Sequence, residues 1–93
     1  MNDKQEFQEL CTILTKCDKT LLTEFLGDIL TPSEARKLCQ RWRLVKLLNQ
    51  GKTQREIAKT LKISLCKITR GSRELKKKNS SFLKVLKTKE QLD

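Results

Sequence analysis

Nine lysine and arginine residues lie between positions 53 and 78, against only two acidic residues. Cationic side chains neutralise phosphate, and a cluster of them along a short stretch is typical of a nucleic-acid-binding surface. The bias is regional, because residues 34–78 hold 15 basic and three acidic residues, whereas residues 1–33 hold three basic and six acidic residues. The formal charge of the whole chain is +10, which favours an anionic partner.

Residue types that carry out catalysis are scarce. The chain has no histidine and no tyrosine, and it contains neither a Gly-rich phosphate-binding loop nor a serine nucleophile elbow. Its acidic residues mostly avoid the basic region. We therefore expect no catalytic residues and a binding protein rather than an enzyme.

The four cysteines predict neither a metal site nor a disulfide framework. They are separated by 6, 22 and 27 positions, which fits no zinc-site spacing. Cys11, Cys17 and Cys39 lie on or beside apolar stripes, so buried free thiols in a reducing compartment are expected. No apolar run approaches the roughly 18 residues of a membrane span, and no signal peptide is expected. The sequence thus predicts a cytoplasmic protein that does not bind a membrane.

The elements that position the basic residues are predicted to be helices, because apolar residues recur at steps of three and four and no strand pattern appears. A central helix is predicted over residues 32–50, since Thr31, Pro32 and Glu34 form a capping-box start and Gly51 suits a left-handed C-terminal cap. A last helix is predicted over residues 80–92. The expected fold is all-α, with about six helices in a single domain of residues 1–93.

Two apolar helices are predicted within residues 1–30, over residues 3–17 and 20–30. Their apolar faces could form an ordinary core or a dimer interface. The interface is favoured, because a chain of 93 residues buries only a thin core and two such helices exceed its needs. The expected assembly is an intertwined homodimer, joined through residues 3–30 and 80–92.

Residues 53–78 have the pattern of a helix-turn-helix. Thr53 and Glu56 form a second capping box, which opens a helix ending near Leu61, and Ser64 can cap a helix from residue 65 to about residue 78. Four apolar residues are spaced to pack two short helices across a tight turn: Ile57, Leu61, Ile63 and Ile68. The rival reading, a helical module that binds an acidic protein or RNA through general charge, predicts no such spacing.

In a helix-turn-helix, the first helix lies across the phosphate backbone and the second enters the major groove with its N-terminal residues nearest the bases. The residues expected at base edges are Leu65, Cys66 and Thr69. Those expected at phosphates are Arg55, Lys59, Lys67, Arg73, Lys76, Lys77 and Lys78. Gln54 and Ala58 on the first helix complete the predicted DNA-binding set.

Three segments resemble the tryptophan repressor family: LTPSEARKLCQRWRLVKLL at residues 30–48, TQREIA at 53–58 and KITRGS at 67–72. The resemblance extends over residues 30–76, with the motifs in the family's order. It implies a homodimeric repressor that binds double-stranded operator DNA when L-tryptophan is bound as corepressor, with no other cofactor. The genes it controls would then be those of tryptophan biosynthesis or uptake.

The resemblance also implies the ligand site. Arg41 and Arg70 match the two arginines that sandwich the indole ring, and a planar guanidinium stacks well on an aromatic face. Leu30 and Thr31 match the segment whose carbonyl groups receive the ammonium group. Arg70 and Gly71 match the carboxylate side, where a close backbone approach would explain a glycine within a helix.

Three residues depart from the family pattern. Lys67 replaces a threonine near the ring, and Glu74 replaces a serine near the ligand's amino group. Both belong to the predicted ligand site, and they leave open an alternative, a helix-turn-helix regulator of the same fold that does not depend on tryptophan. Lys62 replaces a glycine at the corner of the helix-turn-helix, which requires either a left-handed non-glycine residue or a turn of another shape.

Overall fold

The computed structural model describes residues 2–92, without the side chains of residues 91 and 92. Within residues 2–92 the chain forms six helices and no strand, which confirms the predicted fold class. In chain order they are α1 Asp3–Leu14, α2 Lys19–Ile29, α3 Pro32–Asn49, α4 Gln54–Leu61, α5 Leu65–Lys76 and α6 Ser81–Leu92.

Both predicted capping boxes are present. Before α3, the Glu34 N–H donates to Thr31 Oγ1 at 3.1 Å and the Thr31 N–H donates to Glu34 Oε1 at 2.9 Å. Before α4, Thr53 and Glu56 exchange the same pair of bonds at 3.1 and 3.0 Å. Losing the side chain of such a cap typically costs about 1 kcal/mol. These caps define where each helix begins.

The end of α3 is also determined locally. Gly51 has φ +84°, its N–H donates to Leu48 O at 3.1 Å, and the Lys52 N–H donates to Leu47 O at 3.2 Å. This pair of bonds is the Schellman motif, which satisfies the terminal carbonyl groups of a helix. Lys52, the last residue of the motif, directly precedes Thr53, the cap of α4, so the connection between α3 and α4 is short.

The described residues divide into two compact units, and the division falls within α3 between Arg36 and Lys37. The second unit has the core, a cluster in which α3, α4 and α5 each contribute one buried residue: Leu44, Ile57 and Ile68. Leu47, Leu48, Ala58, Leu61 and Ile63 pack against this cluster. Shortening a buried isoleucine to alanine typically costs about 2–5 kcal/mol, so the core strongly determines how these three helices pack. The single-domain assignment stays a prediction.

The first unit has no core of this kind. No residue of α1 or α2 is buried, and large apolar side chains are open to solvent, with 66% exposed at Phe7 and 55% at Ile29. Helical spacing predicts which apolar residues of one helix share a face. It does not show that the same chain covers that face.

Three details differ from the sequence predictions. The first helix, predicted over residues 3–17, ends at Leu14, because the chain turns there and the Cys17 N–H donates to Leu14 O at 3.3 Å. Cys11 and Cys39 are exposed and Cys17 is half-buried, so none of the three is the buried thiol that the sequence predicted. The recognition helix α5 ends at Lys76 rather than near residue 78, since the chain turns there and the Ser80 N–H donates to Lys77 O at 3.2 Å. The buried Ser80 then accepts the Leu83 N–H at the start of α6.

Candidate functional site

The helix-turn-helix is formed by α4 and α5, with its corner at Lys62. This residue has φ 56° and ψ 45°, and its N–H donates to Ala58 O at 2.8 Å. The structure therefore has a left-handed non-glycine residue at the corner. Ser64 then caps α5 by accepting the Lys67 N–H at 3.4 Å. Leu65 and Cys66 begin the recognition helix directly after this cap.

The two helices are held together by the core beneath them. Ile57 on α4 is 1% exposed and Ile68 on α5 is fully buried. Gly71 allows α5 to approach α3, because a Cβ atom at this position would lie 3.2 Å from Leu44 Cδ2 and 3.3 Å from Leu48 Cδ1. The close approach found at Gly71 is thus to two leucine side chains. It places α5 firmly against α3.

The outer surface of the helix-turn-helix exposes most of the predicted DNA-binding residues. Leu65 is 52% exposed, although a side chain of this type is usually buried. Its exposed companions are Gln54, Arg55, Lys59, Cys66, Arg73 and Lys76. Thr69 is half-buried, and Ala58 packs partly against the core. The surface therefore combines basic side chains with small or apolar ones at the start of α5.

A hydrogen bond links α4 and α5 on this surface. Thr69 Oγ1 donates to Gln54 Oε1 at 3.1 Å. The bond leaves the two amide hydrogens of Gln54 available as donors. This bond therefore holds the side chains of both Thr69 and Gln54, the first residue of α4.

Both acidic residues of the helix-turn-helix are engaged in local interactions. Glu56 is held in the capping box with Thr53. Glu74 Oε1 lies 2.8 Å from Lys77 Nζ in an exposed ion pair. Since neither carboxylate pairs there with Arg55, Lys59 or Arg73, the basic surface keeps its positive charge.

A pocket of about 540 Å³ lies within the second unit, a volume in the range of small-molecule sites. The residues that line it are Lys37, Gln40, Arg41, Leu44, Val45, Ile63, Lys67, Arg70, Gly71, Glu74 and Phe82. Its walls combine four cations with apolar side chains from α3 and α6. A depression of about 520 Å³ also occurs on α1, but it is lined by one helix alone and cannot enclose a ligand.

The pocket brings together five of the seven residues predicted for the ligand site: Arg41, Lys67, Arg70, Gly71 and Glu74. Arg41 comes from α3 and the other four from α5. Leu30 and Thr31 belong to the first unit, where Leu30 ends α2 and Thr31 caps α3. Their role toward a ligand stays a prediction.

Sequence reasoning missed several residues of the pocket. Lys37, Leu44 and Val45 could have been found, because they share a helix face with Arg41 at steps of three and four. Gln40 and Phe82 carried no such signal. Phe82 reaches the pocket from α6, which only the tertiary structure places there.

Other kinds of site are not found in the part of the chain that the structure describes. Within residues 2–92, no group of three or more cysteine, aspartate or glutamate side chains could hold a metal ion. None of the described helices has the length and apolar character needed to cross a membrane.

Comparison with known proteins identifies the family. A family model described as Trp repressor protein matches residues 4–90. The chain is 42% identical over 81 residues to a Trp operon repressor homolog from Xylella fastidiosa, covering 85% of this chain and 88% of that one. It is 37% identical over 78 residues to a Trp operon repressor homolog from Chlamydia trachomatis, covering 78% and 83% of the two chains. A homolog of the same name from Chlamydia caviae is 35% identical over 83 residues, with coverage of 88% and 80%.

No solved structure matches the chain significantly. The family match nevertheless covers almost the whole chain, and the relatives share more than a third of the aligned residues. The chain therefore belongs to the Trp repressor family.

Proposed function

We propose that this protein is a transcriptional repressor that binds operator DNA through α4 and α5 when L-tryptophan occupies the pocket between α3 and α5. The observation that carries this proposal is that Arg41 and Arg70 line one pocket, together with three further residues of the recognition helix. The curated relatives are named as homologs of the Trp operon repressor, which supports a regulator rather than an enzyme. The proposed targets are genes of tryptophan biosynthesis or uptake.

The DNA-binding part of the proposal is supported by charge and exposure. Arg55 and Lys59 are exposed on α4, and Arg73 and Lys76 are exposed near the end of α5. Cations that flank a recognition helix contact phosphates, whereas side chains at its start contact bases. Leu65, Cys66 and Thr69 are therefore proposed to face base edges, where the apolar Leu65 suits a thymine methyl group.

The ligand part is supported by the chemistry of the pocket walls. Leu44, Val45, Ile63 and Phe82 supply apolar surface for a ring, and Arg41 and Arg70 supply planar cations. A guanidinium can stack on an aromatic face and also pair with a carboxylate. An aromatic amino acid offers both groups. Because Arg70 and Lys67 lie on α5, an occupied pocket would hold the recognition helix at one angle.

We expect L-tryptophan to raise operator affinity by a factor of about 5 to 150, the usual range for coupling between two sites. The duplex for this test is one selected from a random pool by the full-length protein at saturating tryptophan. Its dissociation constant is then measured at fixed salt with and without the ligand. An unchanged constant at millimolar tryptophan would remove the corepressor and leave DNA binding intact.

A second candidate function rests on the charges of the pocket. Lys67 adds a fourth cation to the pocket, and Glu74, which could receive an ammonium group, is already paired with Lys77. Both observations are consistent with a regulator of the same fold that binds DNA without tryptophan. In that case the operator affinity with and without tryptophan is the same.

The exposed apolar faces of α1 and α2 support the further proposal of a homodimer. A chain that leaves Phe7, Ile13, Leu21 and Ile29 more than half exposed needs a partner to cover them, and a second copy offers the same faces in return. Dimeric helix-turn-helix proteins bind half-sites about one helical turn, roughly 34 Å, apart. Sedimentation at micromolar concentration is expected to give twice the mass of the chain, and a stable monomer would contradict the homodimer.

A further inference from the structure

Gln40 connects the pocket with the corner of the helix-turn-helix. It lies on α3, is half-buried and lines the pocket. Its Nε2 donates to the carbonyl oxygen of Leu61 at 3.4 Å, across 21 positions of the chain. Ile63, two residues further along, lines the same pocket. A single glutamine side chain is thus shared between the pocket and the corner.

The Leu61 carbonyl accepts this bond at the end of α4. Leu61 is the last residue of α4, and the last four carbonyl groups of a helix have no partner within the helix. Leu61 is half-buried and packs against the core, where an unpaired carbonyl group is unfavourable. Gln40 supplies the missing donor from a different helix.

The corner itself depends on its surroundings. Lys62 adopts φ 56°, a left-handed conformation that residues other than glycine rarely adopt. Such a residue keeps its conformation only where neighbouring groups hold it. The Gln40 amide, which donates to the carbonyl of the preceding residue Leu61, is one of these groups. The angle between α4 and α5 therefore depends on a side chain that also lines the pocket.

We infer that Gln40 is a positioning residue that couples occupancy of the pocket to the shape of the helix-turn-helix corner. A ligand that packs against Gln40 restricts its side chain to the conformation that reaches Leu61, and this favours the corner seen here. The inference rests on the proposed function, because it assumes that the pocket binds tryptophan and that α5 binds DNA.

Full-length Gln40→Met tests this coupling, because methionine has a similar length and no donor. Gln50→Met is the matched control, since Gln50 is an exposed glutamine that follows α3 directly. The quantity measured is the ratio of the duplex dissociation constants without and with tryptophan. We expect Gln50→Met to keep the wild-type ratio and Gln40→Met to lower it to about 2 or less.

Amide hydrogen exchange without tryptophan tests the corner by itself. In Gln40→Met we expect faster exchange at Lys62 and an unchanged rate at Ile68, which would show that the core is intact. Adding Lys62→Gly to Gln40→Met is expected to restore most of the operator affinity measured with tryptophan but to leave the ratio low, because glycine adopts positive φ without strain whether or not the ligand is bound. A general packing defect would not be corrected by a change at the corner.

A wild-type ratio in Gln40→Met would overturn the inference, and so would a loss of operator affinity in the presence of tryptophan that Lys62→Gly leaves uncorrected. A wild-type protein whose operator affinity ignores tryptophan would overturn the proposed function instead. In that case amide hydrogen exchange still tests the role of Gln40 at the corner. Faster exchange at Lys62 supports that role, and an unchanged rate refutes it.

Discussion

Arg70→Ala is expected to reduce the effect of tryptophan on operator binding from a factor of about 5 to 150 to a factor of about 1. Arg70 lines the pocket and lies on α5, so the substitution is expected to remove both a proposed ligand-binding group and a cation of the proposed DNA-binding helix. The dissociation constant for the selected duplex, with and without tryptophan, measures the first effect. Calorimetry with tryptophan alone is expected to show that the ligand no longer binds.

Arg41→Ala and Arg43→Ala separate the possible causes. Arg41 lines the pocket from α3, so its removal is expected to abolish mainly the ligand response and to leave tryptophan-free DNA binding unchanged. Arg43 is exposed on the same helix and does not line the pocket, which makes it the matched control for removal of an arginine. If Arg43→Ala weakened the tryptophan response as much as Arg70→Ala, the pocket assignment would be wrong.

Operator affinity is expected to fall by about 10³ to 10⁵ between 50 and 200 mM salt, as for proteins that neutralise about 6–10 phosphates. Four of the exposed cations, Arg55, Lys59, Arg73 and Lys76, are proposed to contact phosphates, and a dimer of such chains would neutralise roughly eight phosphates. Lys59→Ala is expected to weaken binding to all duplexes similarly. It should also reduce the magnitude of the salt slope by about 1 for each phosphate that is no longer neutralised.

Two substitutions serve as comparisons for the effect of Lys59→Ala on the salt slope and on sequence preference. Lys19→Ala removes a cation from the start of α2, far in sequence from the helix-turn-helix, and is expected to leave the slope unchanged. Thr69→Ala removes no charge but releases Gln54, so it should alter the preference between duplexes at a constant slope. A change in sequence preference from Lys59→Ala at a constant slope would refute its assignment to a phosphate.

The starts of α3 and α4 could be predicted because they depend on local chemistry. A side chain three residues from its partner closes a capping box whatever the rest of the chain does, which is why Thr31 with Glu34 and Thr53 with Glu56 begin helices as expected. The end of α5 was less predictable. It depends on the turn that joins Lys77 to Ser80, and this turn depends in part on where α6 packs.

The sequence by itself also determined the helix-turn-helix and its basic surface, since the spacing of Ile57 and Ile68 and the sign of the charges are properties of the chain alone. Only the tertiary structure decided that Arg41 and Arg70 line one pocket, that Phe82 of α6 joins them and that Gln40 reaches Leu61. Hydrophobic periodicity indicates which residues share a helix face, but it does not indicate which other helix packs against that face. Contacts between residues distant in the chain depend on how whole helices pack, and spacing along the sequence does not contain that information.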